Sequence, residues 1–393
     1  MSFLATSRKM LPTLRHDYIR RQRTMRRLTN VCLVAILSVV AAYVITRQPD
    51  VPFSVRRGGQ PAKSSGPSPA IAPSLPRVPS ADTSAGYNIR GGPYTVAEVP
   101  DIVLHDTKRD KDLHVRAFYP EHSGKYPVIV FSHGAGGSQT CCDALTRHWA
   151  GYGYVTFQPT HDDSARQRRA TGSDDAGFMQ AVREALKNPA LWESRPLDIS
   201  FVLDSLPDLE KRVPQLVGKL DVEHVGVGGH SMGSYTSEAI AGAAVDLPGR
   251  PATNLADPRA KAILCLSPQG PGQFGLTDHS FDRVSLPYLG ITGTLDSLGP
   301  IASPAWHKIP FDRSQPGDKY EVLIKGANHM SFITAQTLLP GRAAQAQSML
   351  DYTNSAALAF WDAYLKNESA AKRYLQSDAL ATSSQGAAKV DRR

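Results

Sequence analysis

Glu223-His224-Val225-Gly226-Val227-Gly228 runs directly into Gly229-His230-Ser231-Met232-Gly233, and the reading of this stretch decides the fold. The first six residues form a short apolar run of the kind a buried strand makes, and the residues from 232 to 245 carry a helical pattern. Between them stands Gly-x-Ser-x-Gly. A serine at the tip of a sharp strand-to-helix turn has its hydroxyl pushed out over the carboxyl edge of a sheet. Side chains two residues before and after it would collide with neighbouring backbone, which calls for glycine at both places. In a chain with 31 glycines a bare match to this pattern is weak. The strand ahead of it and the helix behind it supply the weight.

Outward from this turn the chain alternates. Strands are expected at 100–105, 112–118, 127–132, 153–158, 223–228, 260–266, 286–292 and 319–324, with helices near 141–151, 175–187, 195–210, 232–245 and 347–366. The later strands are continuous apolar runs, as expected where both faces of a sheet are covered. Alternation of this kind predicts an α/β fold: a mostly parallel, doubly wound, eight-stranded sheet with helices on both faces. Residues 93–380 would form this domain, and 381–393 read as a disordered tail.

A serine hydroxyl needs a base to take its proton, and the base needs a carboxylate to orient it. In this architecture the chain order is Ser, acid, His, each placed after a strand. Asp296 follows LPYLGITGTL and His329 follows KYEVLIKGAN, both at the carboxyl ends of expected strands, where open α/β sheets place their sites. Asp278, Asp282 and Asp312 compete for the acid position but do not directly follow a strand. His133-Gly134-Ala135-Gly136-Gly137 comes straight after the strand at 127–132. Its small residues allow a tight turn that presents the Ala135 amide to a developing oxyanion, with the Met232 amide as second donor. A phosphate cradle is the poorer reading, since no GxxxxGK[ST] is present there.

Other polar residues have plainer readings. His133 and His230 adjoin the site as positioning groups. His161-Asp162-Asp163 is three neighbouring ligand types without a fourth at fixed spacing, a poor metal site. Arg166, Arg168 and Arg169 form a solvated face. The Gly/Pro-rich stretch 268–285 is either a substrate-shaping loop or a surface connection. Trp306 reads as core packing, with an acyl-pocket wall as the alternative.

The segments SHGAGGS, GHSMGS, TGTLD and GANH, in this order, resemble the α/β-hydrolase fold. More narrowly they resemble the bacterial hydrolases related to platelet-activating factor acetylhydrolase, loosely called dienelactone-hydrolase-like. FWDAYLKNESAAKRYL is similar to the last helix of that group, and the resemblance covers about residues 93–375. It implies Ser231 as nucleophile, His329 as base, Asp296 as orienting acid and the Ala135 and Met232 amides as oxyanion hole, with no metal or organic cofactor. True dienelactone hydrolases use cysteine, so the serine argues against that reaction. The expected function is hydrolysis of carboxylic esters, on a small-molecule ester or lipid, through an acyl-enzyme. A lipase or polyester hydrolase is the alternative, and a silent membrane-tethered binding module a further one. Amidase, thioesterase and acyltransferase chemistry use the same constellation.

The N-terminus sets location. Residues 1–27 form a basic leader, and 28–46 contain no charged residue. This run is either a signal anchor or a signal-peptide apolar region with cleavage after Ala42, and the basic flank sends the remainder of the chain out of the cytoplasm. Residues 47–92 are a Pro/Ser-rich tether. The formal charge of +8 belongs to these segments, because residues 93–393 hold 30 Lys/Arg against 33 Asp/Glu. A nucleic-acid-binding function loses its main support. Of the four cysteines, any disulfide would join Cys265 to Cys141 or Cys142, and free buried thiols are the plainer state.

Overall fold

All eight expected apolar runs form strands, and a ninth strand joins their sheet. The computed structural model describes Tyr87 and residues 91–170, 177–298, 302–333 and 343–393. Its strands are β1 (Val96–Asp106), β2 (Lys111–Pro120), β3 (Tyr126–Ser132), β4 (Val155–Pro159), β5 (Leu220–His230), β6 (Val245–Leu247), β7 (Arg250–Thr253), β8 (Ala260–Leu266), β9 (Tyr288–Gly293), β10 (Lys319–Ile324) and β11 (Ala388–Arg392). The large sheet runs in the order β1-β2-β4-β3-β5-β8-β9-β10-β11, while β6 and β7 pair separately. From β4 through β3, β5, β8 and β9 to β10 every pairing is parallel. The antiparallel pairs β1–β2, β2–β4 and β10–β11 lie at the two sides.

The helices are α1 (Asp143–Gly151), α2 (Ala165–Ala170), α3 (Gly177–Ala185), α4 (Pro189–Arg212), α5 (Met232–Ile240), α6 (Pro304–Arg313), α7 (Ala343–Leu365), α8 (Ser369–Gln376) and α9 (Ala379–Ser383). They cover both faces of the sheet. On one face Ile199 and Val202 of α4, Tyr235 of α5 and Phe311 of α6 bury against Val128, Val130, Val227 and Tyr288. On the other, Trp149 of α1 and Trp361 of α7 bury against Ile129, Phe131, Leu264 and Val322. Alternate residues of one strand therefore feed two cores, which is why β3 is apolar along its length. Helix α4 begins where Asn188 accepts the Ala190 amide (3.1 Å), with Pro189 in the first turn.

Two expectations need correction. The sheet has nine strands rather than eight, and residues 381–393 are not a disordered tail. Ala388–Arg392 pairs antiparallel with Ile324–Tyr320. The segment AKVDR is short, charged and exposed apart from Ala388 and Val390, because an edge strand has a partner on one side only. Its composition therefore resembles that of a solvated end. Among the described residues Cys141, Cys142 and Cys265 form no disulfide with one another, and Cys142 and Cys265 belong to the cores on opposite faces of the sheet.

Tyr87, within the stretch assigned to the tether, is buried against α7. Its hydroxyl donates to Asp362 Oδ2 (2.9 Å), and Tyr154 Oη donates to Asp362 Oδ1 (2.6 Å). The leader, the apolar run 28–46 and the tether up to residue 86 lie outside the described residues. Among the described residues no helix is long and apolar enough to cross a membrane.

Candidate active site

Ser231 stands between the last residue of β5 and the first of α5 at φ 57° and ψ −119°, a conformation rare for a residue with a side chain. The turn holds because its neighbours have no side chains. A methyl group on Gly229 would lie 2.1 Å from the Gly233 carbonyl oxygen, and one on Gly233 would lie 2.0 Å from that of Ser132. The Ser231 amide donates to Leu266 O of β8 (2.9 Å), and Ser231 O accepts the Ser234 amide (2.8 Å).

Asp296 follows β9 and is fully buried. Its Oδ2 accepts Ser267 Oγ (2.6 Å) and Thr292 Oγ1 (3.0 Å), and its Oδ1 lies 3.0 Å from His329 Nδ1. Burial alone would raise this carboxyl. The neighbouring imidazoles of His329 and His307 outweigh burial and hold it well below the usual carboxylate range. His329 follows β10, and its carbonyl accepts His230 Nε2 (2.7 Å). Burial first, and then the nearby His329, push the His230 ring down to about 3. It therefore stays neutral at Nδ1 and donates from Nε2, tying the serine turn to the loop that carries His329.

The structure thus joins Asp296 to His329 directly, and brings the Ser231 turn to His329 through His230. Among the described residues Ser231 Oγ makes no hydrogen bond, a common state of an unliganded site, where this bond tightens when substrate arrives. Gly134 lies against the turn: a methyl on it would be 3.5 Å from Ser231 Cβ. Among the described residues neither the Ala135 nor the Met232 N–H has an acceptor.

His307 on α6 was not legible as a site residue. Its Nδ1 donates to Pro268 O (2.5 Å), and its Nε2 lies 3.3 Å from Asp296 Oδ1, short of a linear hydrogen bond. Among the described residues Asp296, His307 and His329 form a group whose ligand atoms lie within 4.8 Å of one another, as a metal set would. The pairing of both imidazoles with one carboxylate accounts for that closeness. The His161-Asp162-Asp163 run is dispersed among protein partners: His161 Nδ1 faces Asp198 (2.8 Å), Asp162 accepts from Lys111 (2.7 Å) and Asp163 from Arg195 (2.8 Å). The sequence does not single out Arg195 or Asp198 either, although both stand on the buried stripe of α4 beside Ile199 and Val202.

The stretch 268–285 is held down rather than free. Phe274 and Phe281 enter the core, and Trp306 Nε1 donates to Pro271 O (2.9 Å), which makes Trp306 a clamp on that loop. Arg166 is exposed, and the side chains of Arg168 and Arg169 lie outside the described residues.

Buried ionisable groups give the fold a pH signature. Burial lowers His133, His161 and His230, so these are neutral in the folded chain and protonate on unfolding below their ordinary value of 6.5. Burial raises Glu238 and Glu321 well above 4.5, so these ionise only on unfolding as pH rises past 4.5. The histidine contribution is complete above 6.5 and is lost on acidification. The glutamate contribution is complete below 4.5 and is lost as pH rises. Each proton taken up or released tilts stability by about 1.4 kcal/mol per pH unit. Asp143 and Glu368, also raised by burial, act in the same sense as the two glutamates. The expected profile has its maximum between pH 4.5 and 6.5, where the two contributions oppose each other, and falls on either side. Urea unfolding midpoints from pH 4 to 8 test this. A midpoint rising steadily from pH 6.5 to 8 would contradict it.

A family model described as platelet-activating factor acetylhydrolase, isoform II, matches residues 102–177. A platelet-activating factor acetylhydrolase of the dog, Canis lupus familiaris, is 26% identical over 137 residues, covering 28% of this chain and 31% of the dog protein. The chain resembles the platelet-activating factor acetylhydrolases. It spans less than a third of the length of that curated acetylhydrolase. The part matched by the acetylhydrolase family model holds the loop His133–Gly137 and Asp163, whereas Ser231, Asp296 and His329 lie beyond it.

Proposed function

We propose that this protein is a serine hydrolase of carboxylic esters. The observation that carries the proposal is Ser231, held at φ 57° on a strand-to-helix turn whose neighbour His230 is bonded to the backbone of His329, itself paired with buried Asp296. In this scheme Ser231 Oγ attacks the ester carbonyl while His329 Nε2 takes its proton. Asp296 keeps the other proton on His329 Nδ1 and stabilises the imidazolium that forms. The Ala135 and Met232 amides hold the tetrahedral oxyanion. The alcohol leaves with the proton from His329, an acyl-enzyme remains, and water activated by the same histidine releases the acid. The likeness to acetylhydrolases supports a short acyl group on a small ester or lipid. The basic leader and the apolar run 28–46 support action outside the cytoplasm, either anchored through that run or released after cleavage.

Ser231→Ala is the test. The variant is expected to lose hydrolysis of p-nitrophenyl acetate and covalent labelling by a fluorophosphonate, while unfolding at the same urea concentration as the parent. Labelling or hydrolysis at the parental rate would remove Ser231 from the reaction.

A further inference from the structure

A buried charge cluster takes no part in ester cleavage by Ser231, His329 and Asp296. Arg195 of α4 is 1% exposed and Asp163 is 0% exposed. They form a bidentate pair, Arg195 Nε donating to Asp163 Oδ1 (2.9 Å) and Nη2 to Oδ2 (2.8 Å). Apolar side chains of similar volume often stabilise a core as well as a buried ion pair does, so such a pair is weak evidence for stabilisation by itself. The remaining bonds of Arg195 and Asp163 all run to one short stretch of backbone and its side chains.

Arg195 Nη1 donates to His133 O (2.7 Å) and Nη2 to Gly134 O (3.3 Å), while Asp163 Oδ2 accepts the Gly136 amide (2.8 Å). Gly134 O takes two more donors, the Gly137 amide (3.0 Å) and His133 Nδ1 (2.6 Å). The second nitrogen of His133, Nε2, accepts the His161 amide (3.0 Å), so the ring is neutral with its proton on Nδ1. Burial first, and then the Arg195 charge, keep it so. The turn from Gly134 to Gly137 closes with Gly136 at φ 73°, the place in a type II turn that demands positive φ.

A peptide group is planar and trans, so the Gly134 carbonyl and the Ala135 N–H point in opposite directions. Three donors fix that carbonyl on the side of Arg195. The Ala135 N–H is thereby turned the other way, in a loop that lies against the Ser231 turn. We infer that Arg195 and Asp163 are positioning residues which set the Ala135 amide as an oxyanion donor before substrate arrives. Donors fixed in advance need no reorganisation when charge develops, which is the source of their effect on rate. The inference rests on Ser231 acting as nucleophile, and it gives the His161-Asp162-Asp163 run a purpose through its last member.

Arg195→Lys keeps a positive charge beside Asp163, but an ammonium cannot reproduce the planar fork that reaches the carboxylate and both carbonyls. Sites are counted by titrating to completion with a fluorophosphonate. Per titrated site, kcat on p-nitrophenyl acetate is expected to fall on the order of 100-fold, with KM within about threefold. Affinity for a trifluoromethyl ketone, whose adduct carries the oxyanion, should fall by the same factor as kcat/KM. Should Arg195→Lys not fold, His133→Ala removes a different donor from Gly134 O and leaves the ion pair in place. Its kcat per site should drop by roughly 10-fold. A native kcat per titrated site in the folded variant, even with a lowered unfolding midpoint, overturns the inference and leaves the cluster a purely structural role. Parental labelling of Ser231→Ala would instead overturn the nucleophile assignment beneath it.

Discussion

Asp296→Asn is expected to lower kcat/KM on p-nitrophenyl acetate by on the order of 10,000-fold while leaving the fold intact. The surroundings dictate which way the new amide faces. Ser267 Oγ and Thr292 Oγ1 both donate to Oδ2, so they keep their bonds only if the asparagine carbonyl oxygen takes that place. The NH2 group then falls where Oδ1 was, 3.0 Å from His329 Nδ1. It can only donate there, which forces the histidine proton from Nδ1 to Nε2. A ring protonated at Nε2 offers Ser231 a donor where it needs an acceptor. Steady-state kinetics on enzyme of known unfolding midpoint would check this. A variant within tenfold of the parent would mean that Asp296 does not orient the base.

Gly233→Ala should be the most damaging single methyl group in the chain's central turn. It would stand 2.0 Å from Ser132 O and 3.0 Å from His133 O, both rigid backbone at the end of β3. No side chain can swing aside, so α5 and the serine turn must back away from the loop that carries Ala135. The cost is about 3 kcal/mol or more, as for other overpacked cores. Displacement of the turn by even part of an ångström should reduce kcat at least about 100-fold. Gly218→Ala is the comparison: Gly218 has positive φ (69°) but open space around it. It should cost about 1 kcal/mol and leave kcat alone. Equal behaviour of the two variants in urea unfolding and kinetics would refute the packing argument.

What could be read in advance was whatever is local in the chain. Each of Ser231, Asp296 and His329 follows a strand that announces itself as an apolar run, and chain order suggests the roles proposed for them. The eight expected strands were legible for the same reason. The Arg195–Asp163 pair was not, because its partners lie 32 residues apart and only the fold brings them under the His133–Gly137 loop. His307 was hidden in the same way, on a short helix whose sequence says nothing of Asp296. Strand β11 does not show in the sequence because it is held by pairing with β10, and pairing leaves no mark on composition.

Tyr87 bears on how the catalytic part could be produced by itself. A composition-based cut at Pro93 would discard a hydroxyl that Asp362, buried on α7, uses as a donor. The carboxylate would keep Tyr154 and Lys366 on its other oxygen and face a gap on the first. The natural starting point for a recombinant fragment therefore lies upstream of residue 87, inside what looks from composition like mere spacer.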